Sequence, residues 1–295
     1  VTTARAQAPA DTGLFAPVAA QHRARLAQIE AVARDPVTPE RIRLLLATGR
    51  IDEAHQSLPR LTGDAREVAL VMARTLLARQ DFAAAAPVFA RLAALEDPTG
   101  EEREATLAWR FAHDDAAGVD ALTRGALAVP AVDVRIPDLL AAGRLACSLM
   151  RYARAESCYS RALERSSSPQ SAQASEWRYL EAARDTALIG LAQVRIGYRD
   201  WDGALAAALK AVETNACADA MTVLAQALLR VGRTDEAISA AEWATLLNPY
   251  SEMAHYLRGN GYTVRRNYSQ LHAAYPQAFA DAVGRRALAG ADSLF

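Results

Sequence analysis

The sequence is poor in the residues that support dense cross-linking or membrane insertion. Its 295 residues include 3 cysteines, 15 glycines and 6% aromatic side chains. Three cysteines are too few for a dense disulfide framework. A single bridge between Cys147 and Cys158 is conceivable. We interpret these two cysteines and Cys217 as small buried apolar residues. No run of eighteen apolar residues occurs, so we predict no segment that spans a bilayer.

The common signatures of catalytic and metal sites are also missing. The sequence contains no HExxH, CxxC, P-loop or GxSxG pattern. Its five histidines stand far apart, and no two are spaced three or four residues apart on a predicted helix: His22, His55, His113, His255 and His272. We therefore predict no catalytic residues, no metal ligands and no cofactor.

Charge is nearly balanced, with 33 basic and 34 acidic residues and a formal net charge of −1. The chain as a whole lacks the positive footprint that binds nucleic acid, so we predict no nucleic-acid partner. Every basic residue except Lys210 is an arginine. We interpret this bias as a mark of high-GC codon usage in a bacterial gene.

The sequence is rich in alanine, and its apolar residues recur at the spacing of an α-helix. Between Ala218 and Arg285 a pattern of 34 residues occurs twice. Gly259 follows Ala225 by 34 residues, and Tyr262 follows Leu228 by the same interval. A period of 34 with this order of large and small residues resembles the tetratricopeptide repeat (TPR), a helix–turn–helix unit.

Small side chains are needed where two antiparallel helices cross closely, and we assign Ala225, Gly259, Ala237 and Ala244 to such crossings. Gly232 is predicted to form the turn between the two helices, because glycine tolerates positive φ. We expect Pro249 to end the second helix. We predict that the second copy is less regular, because it contains Leu271 and Pro276 and lacks a proline at position 283.

Weaker copies extend the resemblance upstream, over roughly residues 35–285. We predict a tail or export-signal remnant at 1–15, TPR-like halves at 16–129 and 138–285, a connector at 130–137, and a capping or truncated helix at 286–295. The predicted fold is all-α, and the resemblance implies a right-handed superhelical α-solenoid of about seven hairpins.

Local signals place several helix ends. Thr38 with Pro39 is typical of a helix start, and Thr99 with Glu102 predicts a capping box. We interpret the acidic residues at 101–104 as the usual first-turn preference for acids. A long helix is predicted from about Ser171 to Ile196.

Stacked TPR hairpins form a concave groove, and the resemblance implies that it holds an extended peptide or a partner helix. Carried over by position, the groove-facing residues are Leu70, Arg74, Leu77, Leu140, Arg144, Ile189, Gln193, Thr222, Gln226, Leu229, Tyr256, Asn260 and Thr263. Some relatives grip a C-terminal carboxylate with a lysine–asparagine clamp. Gln193 and Gln226 occupy the clamp positions here, which disfavours that ligand.

These observations favour a non-enzymatic scaffold or adaptor that binds a protein or peptide partner. Ala4–Ala8 resembles the small-residue end of a secretory signal, so we expect a periplasmic or otherwise exported subunit of a cell-envelope assembly, with a cytoplasmic location as the alternative. Two other hypotheses stay open: the solenoid portion of a larger glycan-processing enzyme or secretion machine, and an α-solenoid enzyme with its site in the groove.

Overall fold

A computed structural model describes residues 13–32, 36–112, 134–167 and 174–265, without the side chains of 174–177. Several predicted features lie outside this part of the chain. They are most of the tail at 1–15, the end of the N-terminal half, the first half of the connector at 130–137, the first residues of the long helix predicted from Ser171, and everything predicted beyond Arg265.

The described residues form thirteen α-helices and two short 3-10 turns, at Gly13–Phe15 and Leu58–Arg60. Their one β contact is an isolated bridge between Val37 and Leu61. The all-α prediction is confirmed. The helices are α1 (Ala16–Ala31), α2 (Pro39–Ala47), α3 (Ile51–Ser57), α4 (Ala65–Ala78), α5 (Phe82–Ala93), α6 (Gly100–Ala112), α7 (Ile136–Ser148), α8 (Tyr152–Ser167), α9 (Ala174–Gly197), α10 (Trp201–Thr214), α11 (Ala218–Arg230), α12 (Thr234–Leu247) and α13 (Glu252–Val264).

Contacts between residues divide the chain into two compact units. The terminal unit comprises Val1–Leu61, Ala78–Gln80 and Asn215–Phe295, and the central unit comprises Thr62–Leu77 and Asp81–Thr214. This grouping differs from the predicted halves, because it places the first helices together with the last ones. No described helix is long and apolar enough to cross a membrane.

Five hairpin turns share one geometry, in which the second residue after the first helix has positive φ. Those residues are Gly49, Gln80, Met150, Arg199 and Gly232, with φ between 55° and 81°. In each turn the next N–H donates to the carbonyl five residues earlier, at 2.7–3.0 Å. This is the Schellman end of a helix, which satisfies carbonyl groups that the helix leaves open. The prediction for Gly232 is confirmed, and three turns use other residue types.

The predicted helix starts are also present. The Thr38 side chain accepts a hydrogen bond from the Arg41 N–H, at 3.4 Å, and Pro39 opens α2. At the start of α6 the Thr99 N–H donates to Glu102 Oε2 at 2.8 Å, and the Glu102 N–H donates to Thr99 Oγ1 at 3.3 Å. This reciprocal pair is the predicted capping box.

The small residues predicted at helix crossings are buried in the terminal unit. Ala225, Ala237 and Ala244 have no more than 1% exposure, and Gly259 is also buried. Leu228, in the first copy of the repeat, is fully enclosed. The repeat pattern therefore identifies the packing surface of α11, α12 and α13 correctly.

The terminal unit also contains contacts between its first and last helices, which no repeat period predicts. Arg25 of α1 donates to the Ala216 carbonyl at 2.8 Å and to Asn215 Oδ1 at 2.5 Å. The His22 ring meets the edge of Trp243, with centroids 5.7 Å apart. These polar and aromatic contacts attach α1 to α12 and to the start of α11.

The turn between α2 and α3 also contacts the C-terminal part of the terminal unit. A Cβ at Gly49 would collide with the backbone carbonyl of Leu246, so this approach requires glycine. Tyr250 donates its hydroxyl to Asp52 at 2.5 Å, and Gln80 donates to the Tyr250 carbonyl at 2.9 Å.

Candidate functional site

The predicted groove residues are divided between the two units. Seven belong to the central unit: Leu70, Arg74, Leu77, Leu140, Arg144, Ile189 and Gln193. Six belong to the terminal unit: Thr222, Gln226, Leu229, Tyr256, Asn260 and Thr263.

Three of these thirteen residues are buried rather than surface-facing. Leu70 and Leu140 are 5% and 1% exposed and lie in the core of the central unit. Thr222 is 9% exposed, and its hydroxyl donates to the Ala218 carbonyl at 2.7 Å within its own helix. Their side chains stabilise the fold and offer little surface to a partner.

In the central unit, the two predicted arginines are engaged by glutamates of α6. Arg74 Nη1 lies 3.5 Å from Glu101 Oε2, and Arg144 Nη2 lies 3.7 Å from Glu104 Oε1. All four side chains are partly buried. These residues, which we call the central ion pairs, connect α6 to α4 on one side and to α7 on the other.

A second layer of charge lies next to the central ion pairs. Arg103 donates to Asp138 Oδ1 at 2.8 Å, and Arg66 pairs with the buried carboxylate of Glu102 at 2.5 Å. Burial alone would raise the pKa of Glu102. The hydrogen bonds from Arg66 and Thr99 outweigh it and hold that pKa below its usual value.

Tyr179 lies behind this charged layer, with its ring against Gly100. A Cβ at Gly100 would come within 2.5 Å of the ring. The Tyr179 hydroxyl is buried and has no hydrogen-bond partner among the described residues. Burial together with the nearby Glu104 and Asp138 raises the pKa of the phenol.

Sequence reasoning missed the role of Glu101 and Glu104 because a first-turn preference for acids already explained them. The structure shows that both glutamates of α6 face arginines that the repeat pattern had assigned to the groove: Glu101 faces Arg74, and Glu104 faces Arg144. Of the remaining predicted residues in this unit, Leu77 and Ile189 are half-buried and Gln193 is exposed.

In the terminal unit, the predicted residues form an uncharged surface on α11 and α13, two helices in contact with each other. Gln226 and Asn260 occupy equivalent positions 34 residues apart, and both are half-buried. Neither side-chain amide bonds to another of the described residues. Tyr256 precedes Asn260 by one helical turn and is 59% exposed. We call Gln226, Asn260 and Tyr256 the amide face.

Residues around the amide face are fixed by their own hydrogen bonds. Tyr262 donates its hydroxyl to Glu242 at 2.6 Å, and burial together with this bond raises its pKa to about 12. The Thr263 hydroxyl donates to the Gly259 carbonyl at 2.9 Å. Leu229 is half-buried, which leaves part of its side chain available for apolar contact.

The histidines within the described ranges take structural positions. His22 packs on Trp243, Arg79 lies 2.7 Å from the His55 ring, and His255 lies 3.0 Å from the Pro249 carbonyl. Across residues 13–32, 36–112, 134–167 and 174–265, no three histidine, cysteine, aspartate or glutamate side chains are grouped to hold a metal ion.

Cys147 and Cys158 are free thiols in this structure. Burial raises the pKa of Cys147 to about 11 and also raises that of Cys158. Because the thiolate is the reactive form, neither environment favours a nucleophilic cysteine.

Comparison with solved structures identifies the architecture. The chain aligns with a crystal structure of the APC/C hetero-tetramer Cut9-Hcn1 at TM-score 0.52 and 15% identity, over 90% of this chain and 50% of the other. It aligns with a Rap protein complexed with Competence and Sporulation Factor at TM-score 0.53 and 12% identity, over 91% and 78% of the respective chains. These alignments show that the chain shares an all-α fold of helical hairpins with both structures.

At these identities the likeness concerns the fold alone and not the activities of the two proteins. The chain spans about half the length of the Cut9-Hcn1 chain that it matches. No protein-family model and no curated protein matches the sequence.

Proposed function

We propose that this protein is a non-enzymatic interaction scaffold that holds an extended segment of a partner protein on the amide face. The observation that carries the proposal is the pair of half-buried amides, Gln226 and Asn260, which stand one repeat apart without a hydrogen-bond partner among the described residues.

An amide side chain complements a peptide backbone well. It offers one acceptor and two donors, whereas each peptide unit of an extended chain offers one donor and one acceptor. Half-buried amides can bond to water in the free protein, and a bound peptide can replace that water with direct hydrogen bonds. Tyr256 and Leu229 add apolar contact for side chains of the bound segment.

Two further considerations support the proposal. The two structural neighbours are complexes: Cut9 with Hcn1, and a Rap protein with Competence and Sporulation Factor. A charge near neutrality disfavours nucleic acid as the partner. A place in the cell envelope belongs to the same proposal and rests on the composition of Ala4–Ala8.

The test begins with peptides selected from a displayed random library on the full chain. Affinities of the synthetic peptides are then measured by calorimetry. Gln226→Ala and Asn260→Ala are each expected to weaken binding about tenfold, the effect of one lost hydrogen bond of about 1.4 kcal/mol. Methylating single backbone nitrogens of the peptide should reproduce these losses at a few positions only.

Gln56→Ala is the matched control, because Gln56 is an exposed amide on α3. It should leave the affinity unchanged. If the selected peptides bind the Gln226→Ala, Asn260→Ala double variant as tightly as the wild type, the amide face is not the binding surface.

A further inference from the structure

Two neighbouring turns of the central unit expose large apolar side chains. Leu149 and Met150, between α7 and α8, are 50% and 74% exposed, and Tyr198, at the end of α9, is 43% exposed. The rings of Tyr152 and Tyr198 meet edge to face with centroids 5.7 Å apart, which places the two turns side by side.

Met150 is unfavourable for folding in two ways. Its φ is 55°, a conformation that glycine adopts at the equivalent turn positions 49 and 232. It is also the most exposed large apolar side chain among the residues that the structure describes. A strained and exposed methionine that folding does not require points to a role in binding.

Arginines surround this apolar tip. Arg151, Arg154 and Arg199 are exposed, and none forms an ion pair with a described residue. The exposed carboxylate of Asp202, in the first turn of α10, offsets one of the three charges. The edge therefore carries a local excess of positive charge, although the whole chain has a formal net charge of −1.

Two other acids near the tip share one arginine. Arg195 lies 2.9 Å from Glu156 and 3.3 Å from Asp200. Arg195 balances one of these two carboxylates, so the four arginines and three acids named here leave a net formal charge of +1 at this edge.

We propose that this edge, formed by Leu149, Met150, Tyr198, Arg151, Arg154 and Arg199, docks on the surface of an anionic phospholipid bilayer. Apolar and aromatic side chains at the apex of a turn enter the headgroup region, while guanidinium groups pair with lipid phosphates. A projecting apex suits a deformable planar surface, whereas a partner helix is usually held in a groove. This surface belongs to the central unit and is independent of the amide face.

The direct test is co-sedimentation of the full chain with vesicles. Vesicles of phosphatidylglycerol and phosphatidylcholine in equal amounts should bind the protein, and pure phosphatidylcholine vesicles should not. Raising the salt concentration should weaken binding because exposed charges are screened. Each of Arg151→Gln, Arg154→Gln and Arg199→Gln should lower the partition coefficient about fivefold. Arg91→Gln, an exposed arginine of α5, is the control.

The Met150→Gly variant distinguishes a loss of membrane binding from a loss of stability. This variant should lose on the order of tenfold in vesicle affinity while its melting temperature stays the same or rises. Met253→Ser, at an exposed methionine of α13, should bind vesicles as the wild type does. Peptide binding at the amide face should be unchanged in the variants of the central unit.

Three results would overturn the proposal. They are no sedimentation of the wild type with anionic vesicles, equal sedimentation of Met150→Gly, and capture of an acidic protein through Arg151 without any vesicle binding.

Discussion

Gly190 of α9 lies against the face of the Tyr159 ring of α8, so closely that a Cβ at this position would overlap the ring. Gly143 of α7 approaches the same ring, and a Cβ there would come within 2.8 Å of it. Tyr159 is 1% exposed. Two glycines from two helices thus make the space for one aromatic side chain, which locks α7, α8 and α9 together.

Gly190→Ala should therefore destabilise the protein, although alanine is the better helix former. We expect a net loss of about 2 kcal/mol in the free energy of unfolding, because overpacking outweighs the gain in helix propensity. Chemical denaturation measures this change. In a Tyr159→Leu background the same substitution should be neutral or stabilising, and an unchanged cost there would show that the ring is not the cause.

Replacing any of the three non-glycine residues that have positive φ with glycine should stabilise the protein. Arg199→Gly is expected to raise the free energy of unfolding by about 1 kcal/mol, because glycine removes the strain of the left-handed conformation. Gly232→Ala should lower it by about the same amount. Thermal denaturation of both variants tests the shared geometry of the turns; equal melting temperatures would contradict it.

Charge reversal at Arg144 should affect the stability of the central unit. Arg144→Glu places a second carboxylate beside Glu104, and we expect it to cost about 1 kcal/mol more than Arg144→Gln. Adding Glu104→Arg should restore most of that difference. A double-mutant cycle by denaturation measures the coupling, and a coupling energy of zero would mean that the pair contributes nothing.

Glu102 should make stability depend on pH in the acid range. Its pKa is depressed in the folded state, so its contribution is present above the unfolded-state pKa of about 4.3 and is lost as pH falls through the lower folded value. Glu102→Gln should be less stable than the wild type by about 2 kcal/mol at pH 7. The free energies of unfolding of the two proteins should converge only once the pH lies below the folded-state pKa of Glu102. A difference that persists at still lower pH would assign the effect to packing.

The sequence predicted the parts of the fold that depend on local or periodic signals. Ala225 and Gly259 were recognisable because small residues recur every 34 positions, and Thr99 with Glu102 because a capping box spans only four residues. Gln80, Met150 and Arg199 were not predicted as left-handed turn residues, since the glycine that usually marks such turns is absent there.

Contacts between distant segments could not be read from the sequence. The hydrogen bonds of Arg25 with Asn215 and Ala216 follow no period, so the association of the first helices with the last was missed. At the candidate site, position within the repeat selected Gln226 and Asn260, which are half-buried, and Tyr256, which is exposed. It also selected Leu70 and Leu140, because the repeat position alone does not report how closely the next helix packs.

The most direct measurement of the central claim is the side-chain amide spectrum of the isotopically labelled full chain, recorded while a selected peptide is added. The NH₂ resonances of Gln226 and Asn260, assigned through the alanine variants, should shift together with the fraction of peptide bound, while those of Gln56 should stay in place. If the peptide binds and the Gln226 and Asn260 resonances do not move, the amide face does not hold the partner.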